Sequence, residues 1–223
     1  METIKQLSKL TSIALARTLL SLGLVFPGAL AMAIEEPAFD LIETEGDIEF
    51  RRYQPYIIAQ TLVKEARSRS AASNAGFMRL FGYISGENIT QEKIEMTAPV
   101  IQADGKSQGE KIDMTAPVQQ TETEEGWLVA FVLPLHYTME TAPIPEDSRI
   151  QLREIAPRNM AVIQFSGRWS EKNVERHKEE LLSFLDEDNQ IIIGDIEFAA
   201  YNSPFALPFL RRNEVMVEVK LQQ

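Results

Sequence analysis

The residues predict an α+β domain: a pseudo-two-fold, distorted antiparallel or mixed β-barrel made of two βαβ-type halves, with two helices packed on it. Three observations carry that expectation. Short stretches of period-2 hydrophobicity recur through residues 34–223 and are interrupted by two blocks of helical period. Sliding the chain along itself by 102 residues sets Ile48, Arg51, Pro55 and Ala59 on Ile150, Arg153, Pro157 and Ala161, with Phe50 opposite Leu152 and Ile58 opposite Met160. That period is far too long for a solenoid and suits two halves of one domain. Finally, EKI-x-MTAPV is written twice, at Glu92–Val100 and Glu110–Val118, differing only in Glu95 against Asp113.

Taken in order, Phe39–Glu43 and Ile48–Tyr53 read as strands around a turn at Glu45-Gly46-Asp47, and Tyr56–Val63 is a β-branched run after Pro55. The period then changes. Between Ser70 and Ile84, Phe77, Leu80, Phe81 and Ile84 fall at i, i+3, i+4 and i+7, and Ser85-Gly86 supplies a stop. In the twin arms, Ile94 and Met96, or Ile112 and Met114, alternate with polar neighbours as in half-buried strands. Pro99 and Pro117 mark strand ends, and Ile101–Gly109 serves as a polar connecting loop. Trp127–Leu133 reads as a buried strand closed by Pro134, and Thr141–Asp147, with two prolines, as a loop. Ile150–Ile155 and Met160–Phe165 are strands. Ser170 caps a helix to about Asp186 with Val174, His177, Leu181 and Leu185 on one face, and Gln190–Tyr201 and Glu214–Leu221 complete the strands.

Composition narrows the function. The chain of 223 residues is 44% hydrophobic and 25% charged, as a folded domain is, and its net charge of -11 disfavours nucleic acid or an anionic lipid surface as a partner. Cysteine is absent, which removes disulfides, thiolate ligands and thiol nucleophiles; two histidines do not make a histidine-rich metal site. At the N-terminus, Lys5, Lys9 and Arg17 precede an apolar run from Leu19 to Leu30, followed by Ala31-Met32-Ala33. This reads as a signal peptide over residues 1–33, leaving a single domain over 34–223 in a periplasmic or secreted location. The run is too short and interrupted to span a bilayer, so no stable membrane span is expected after cleavage. Losing Glu2, Lys5, Lys9 and Arg17 removes a net +2 and takes the charge from -11 to -13.

The paired arms, FVLPLHYT at Phe131–Thr138, AVIQFSG at Ala161–Gly167 and YNSPFALPFLRRNEVMVEV at Tyr201–Val219 resemble the SOUL haem-binding proteins. The likeness runs from about Phe39 to Lys220 and is most specific at Tyr201, Pro204, Arg211, Arg212, Asn213, Glu214 and Val215. It implies a two-half barrel with two helices, akin to bacterial effector-binding domains. It also implies reversible, non-covalent binding of haem or another tetrapyrrole beside the first helix, without a known reaction.

A flat macrocycle needs an apolar wall and somewhere for its propionates. Phe77, Met78, Phe81 and Tyr83 on the first helix supply either that wall or only the core stripe of the helix. His136, after a strand-ending proline, is a candidate iron ligand or a solvated loop histidine. His177 sits among apolar helix positions and reads as a packing residue. Arg211 and Arg212 are either propionate partners or structural ion-pair residues. The chain lacks G-x-S-x-G, H-E-x-x-H, a phosphate loop and G-x-G-x-x-G, so a non-catalytic carrier for transport, buffering or scavenging is the expectation. Two other non-catalytic readings stand beside it: a module of the same fold for a different small ligand, and a protein-interaction module using the arm at Gln91–Gln120 as a strand edge.

Overall fold

The computed structural model describes residues 34–91, 109–203 and 205–220. The expected leader at 1–33, the first arm at 92–100 with its loop to 108, Pro204 and Leu221 lie outside the described residues. The elements are β1 Phe39–Glu45, β2 Ile48–Tyr53, β3 Tyr56–Val63, α1 Arg69–Ile84, β4 Asn88–Ile89, β5 Val118–Thr123 and β6 Gly126–Val132. They continue with β7 Ile144–Pro145, β8 Ile150–Ile155, β9 Arg158–Phe165, α2 Glu171–Glu187, β10 Ile191–Ala200 and β11 Asn213–Lys220.

Local chemistry sets most of these limits. Gly46, at φ +60°, makes the tight connection from β1 to β2. Ser68 and Ser170 accept hydrogen bonds from the backbone N–H groups of Ala71 and Asn173 and so start the two helices. Gly86, at φ +117°, turns the chain away after the Ser85 cap of α1. On α2 the buried face is Val174, His177, Leu181 and Leu185, as the spacing predicts.

The second arm departs from expectation. Residues 110–117 form no strand; β5 begins after Pro117, and Ile112 is buried while Met114 is exposed. The arm is held instead by individual bonds. Asn88 donates to the Glu110 carbonyl and accepts from the Glu110 N–H, Ile112 N–H donates to Ile84 O, and Ala116 N–H donates to Glu35 O. With its donors used in this way the segment has no ladder to join. A short β4–β7 pairing, Asn88 with Pro145 and Ile89 with Ile144, also lies where only loop was expected.

Nine strands form one sheet in the order β1-β2-β9-β11-β10-β5-β6-β3-β8, and every pairing in it is antiparallel. The 102-residue repeat is real in space: β2, β3 and the first residue of α1 recur as β8, β9 and the first residue of α2 without a slip. Exchanging β2 with β8, β3 with β9, β5 with β10 and β6 with β11 leaves the order of these eight strands unchanged, so the sheet is a palindrome about the β10–β5 pair. The repeating unit is therefore strand, strand, helix, strand, strand rather than βαβ. Each half lends its first strand to the other, β2 to β9 and β8 to β3.

The sheet is curled and, among the described residues, β1 and β8 are its edges rather than partners in a closed seam. Arg158 on β9 donates to the Tyr56 hydroxyl on β3 at 2.6 Å, although five strand spacings of about 4.8 Å would separate these strands by roughly 24 Å in a flat sheet. Both helices pack on the outer face: α2 with Phe50, Ile163 and Val217, and α1 with Ala59, Val129 and Phe131. The inner face is filled by Tyr53, Tyr56, Met160, Val162, Ala199 and Met216.

Ion pairs cross that inner face. Fully buried Glu214 accepts from Arg51 Nη1 at 3.1 Å, from the Tyr201 hydroxyl at 2.7 Å and from Arg212 Nε at 2.9 Å. Burial disfavours the Arg51 cation, but Glu214 and the bonds to Tyr53 and Glu49 more than reverse this, and its pKa rises. Burial beside Glu214 pushes the Tyr53 phenol up to about 12. Arg158 pairs with Glu197 in the same layer. The oily hollow that a two-half barrel would offer a ligand is therefore occupied by the protein's own side chains.

Two variants test this packing. A Cβ on Gly76 of α1 would stand 2.5 Å from Val129 Cβ. Gly76→Ala should therefore lower stability by about 1–3 kcal/mol in spite of its better helix propensity, and Val129→Ala in the same chain should restore part of it, as read by urea denaturation. Arg51→Met should cost about 3–5 kcal/mol, because Glu214 is left buried with fewer partners; a loss below about 1 kcal/mol would mean that water reaches the carboxylate.

Candidate functional site

Among the described residues the inner face is filled, and the apolar side chains left exposed, such as Met78, Phe81, Leu135 and Met139, lie on the outer surface and the rim. On α1, Phe77, Met78 and Phe81 come together, as residues spaced by three and four do on a helix. The Phe77 and Phe81 rings stack 6.0 Å apart with planes 10° from parallel, and Phe77 meets Phe131 edge-on at 5.2 Å. Phe77 is half-buried, whereas Met78 is 60% and Phe81 41% exposed. Phe77 is thus anchored in the core while Met78 and Phe81 present apolar surface to solvent.

Tyr83 points the other way. It is fully buried, its hydroxyl donates to Pro143 O at 2.8 Å, and burial raises its pKa, with Tyr137 and Glu110 adding to the effect. The same helix therefore carries one aromatic residue as a core bond and two as a stacked pair.

The internal repeat makes the α1 face informative. Displaced by 102 residues, Phe77, Met78 and Phe81 correspond on α2 to Glu179, Glu180 and Ser183, all exposed. The two helices have the same job against the sheet, so their shared scaffold does not require an apolar outer face.

At the rim, a cleft of about 440 Å³ lies between the start of β3 and the loop after β6, lined by Pro55, Tyr56, Leu133, Leu135, Tyr137 and Met139 among others. His136 is exposed beside it, its ring 4.1 Å from that of Tyr137 and tilted by 40°. The Tyr137 hydroxyl donates to Glu110 at 2.6 Å, and burial and that bond raise its pKa. Leu135 and Met139 were not singled out from the sequence; their loop placement hid the fact that they face the same space as Tyr56.

Arg212 is engaged on every side. Its Nε donates to Glu214, its Nη1 to Glu36 at 2.9 Å, its Nη2 lies 2.9 Å from Glu214, and its guanidinium sits 3.7 Å over the Tyr201 ring. Arg211 donates through Nε to Ala206 O. His177 is buried, stacked on Phe165 at 4.0 Å and bonded to Asn173 O through Nδ1. Among the described residues, no group of three histidine, aspartate or glutamate side chains is placed to hold a metal ion, and no helix is long and apolar enough to cross a membrane.

Comparison with known proteins gives a consistent relationship. A family model described as SOUL heme-binding protein matches residues 34–218. The chain is 29% identical over 192 residues to Heme-binding protein 2 of Homo sapiens, covering 84% of this chain and 87% of that one. It is 27% identical over 196 residues to Heme-binding protein 2 of Mus musculus, covering 86% and 89% respectively. Among solved structures, a protein of Listeria innocua described as a hydrolase matches with a TM-score of 0.48 at 12% identity, over 78% of this chain and 92% of its own.

Proposed function

The chain belongs to the SOUL heme-binding protein family, and from that premise we propose that it binds haem or a related tetrapyrrole, reversibly and non-covalently, against the Phe77–Met78–Phe81 face of α1. The observation that carries the choice of face is the asymmetry of the two helices: three apolar side chains on α1 where the repeat places two glutamates and a serine on α2. A planar macrocycle fits two near-parallel rings and a deformable thioether side chain, and covering them removes apolar surface from water. Its propionates would reach solvent at the helix surface. Bound haem would supply an iron centre and its redox and ligand chemistry; the chain's own part is to hold and shield the ring.

Arg212 and Tyr83 are left out of the proposed contacts because their donors are already bonded within the protein. A second reading places the ring's edge in the rim cleft, since His136 is exposed there beside Leu135 and Met139. In either case the role is carriage, buffering or scavenging rather than catalysis. Export rests on the basic, apolar and small-residue pattern of residues 5–33.

Haem titration of the chain from Ile34 onward should give a saturable Soret change. Met78→Glu with Phe81→Glu should weaken it at least about tenfold, since each buried Met or Phe side chain contributes about 1.5–3 kcal/mol. No saturable change in the unaltered protein would sink the haem reading, and unchanged affinity in the double variant would remove the ring from α1. His136→Ala should leave the Soret position unmoved; a shift would transfer the site to the rim cleft. For export, mass analysis of protein recovered outside the cytoplasm should show a chain beginning at Ile34, and retention of residues 1–33 would overturn that part.

A further inference from the structure

The two halves also differ where β10 is joined to β11. In the palindrome of the sheet this connection corresponds to the one from β5 to β6, which is the exposed turn Glu124-Glu125. In its place residues 201–212 carry no aspartate or glutamate and put four apolar side chains into solvent. Phe205 is 95% exposed, Leu207 56%, Phe209 70% and Leu210 66%. The short turn of the other half shows that joining two such strands does not require an apolar loop, and a cluster of exposed apolar side chains marks a contact surface.

The loop is firmly built. At its foot, Tyr201 N–H donates to Arg212 O at 3.2 Å, Arg212 N–H to Asn202 Oδ1 at 2.6 Å and Gly167 N–H to Pro208 O at 2.9 Å. Towards the tip, Ala206 N–H donates to Ser203 O and Leu210 N–H to Leu207 O, both at 2.9 Å. Phe205 N–H donates to Ser203 Oγ at 3.3 Å, Arg211 N–H to Pro208 O at 3.2 Å, and Arg211 Nε to Ala206 O at 2.9 Å. Pro208 has no N–H to satisfy. The tip therefore meets these backbone donors from within while its side chains face outward. Water would serve such donors equally well, but a medium poor in water would not, so this bonding suits the boundary between lipid headgroups and acyl chains.

The charges agree. Arg168 is exposed and follows Gly167, which is bonded to the loop, and Arg211 and Arg212 lead from the loop into β11. The carboxylates at this foot, Glu36 and Glu214, both pair with Arg212. A convex apolar tip with cationic side chains at its base matches an interfacial anchor, in which Phe and Leu enter the acyl boundary and arginine stays at the level of the phosphates. The net charge of -11 opposes approach to an anionic surface but not to a zwitterionic one. We propose that the loop docks this protein on a zwitterionic phospholipid surface, with Phe205, Leu207, Phe209 and Leu210 inserted to the acyl boundary and Arg168 at the phosphates. The contact is peripheral, needs no spanning segment and is separate from the α1 face assigned to haem.

The chain from Ile34 onward holds every described element and lacks the apolar run at 19–30, so lipid binding by it is binding by the domain. It should cosediment with sucrose-loaded phosphatidylcholine vesicles, and raised salt should leave the binding in place, because burial of apolar surface is not screened. Phe205→Asp with Phe209→Asp should weaken partition at least about tenfold, with the circular dichroism spectrum of the parent kept because both side chains are exposed. Phe205→Trp should add an emission that shifts to the blue on vesicles and is quenched by brominated acyl chains, beyond any change in the parent. No cosedimentation of the unaltered domain, binding lost at raised salt, equal partition of the double variant, or an added emission untouched by brominated lipid overturns the proposal. If the lipid-free domain sediments as a dimer that Phe209→Asp splits, the loop meets a second copy of the chain and the proposal falls.

Discussion

Glu214 has no solvent exposure, and its partners reach it from three directions: Arg51 from β2, Tyr201 from the end of β10 and Arg212 from the residues just before β11. A buried pair of this kind adds little net stability over apolar packing. What it fixes is register. A one-residue slip of β2 would turn Arg51 to the outer face and leave Glu214 buried with one cation fewer. Arg158 and Glu197 do the same across the centre of the sheet, with Tyr56 joining them from the far end. These bonds hold the curl in place and fill the inner face among the described residues.

That constraint gives the internal repeat its meaning. The two halves share strand order, helix position and even the serine that caps each helix, so the scaffold is two-fold. The surfaces are not. Phe77, Met78 and Phe81 stand where the other half has Glu179, Glu180 and Ser183, and Arg69 stands where it has Glu171. A duplicated frame lets one helix keep a solvated outer face while its twin carries exposed apolar side chains. The proposed ligand face rests on the differences between the halves, not on their likeness.

The expected site residues divided by direction rather than by type. On α1 a rotation of 200° separates Phe81 from Tyr83 at 3.6 residues per turn, enough to send one ring to solvent and the other into a bond with Pro143 O. The sequence shows both as aromatic positions near one stripe; only packing against Ala142 and Val129 decides which is core. Arg212 is similar. Its ring partner Tyr201 and its carboxylate Glu214 are both nearby in sequence, but Glu36, which completes its bonding, comes from the other end of the domain. Arg69 gave no signal at all, because its burial against the Trp169 and Phe198 rings is a property of its surroundings.

The boundaries of β2, β3 and β8 and the N-cap and buried face of α2 are legible in the residues alone, because they depend on alternation, caps and turns within a few positions of one another; the 102-residue repeat is visible there as well, and the matching strands bear it out. The exchange of first strands between halves, the loss of strand character in residues 110–117, the filled inner face and the stacking of Arg69 on Trp169 were decided only in three dimensions. The physical reason is the same for each: they turn on which donor meets which acceptor across tens of residues, and a side chain's partner is chosen by the folded neighbourhood rather than by its neighbours along the chain.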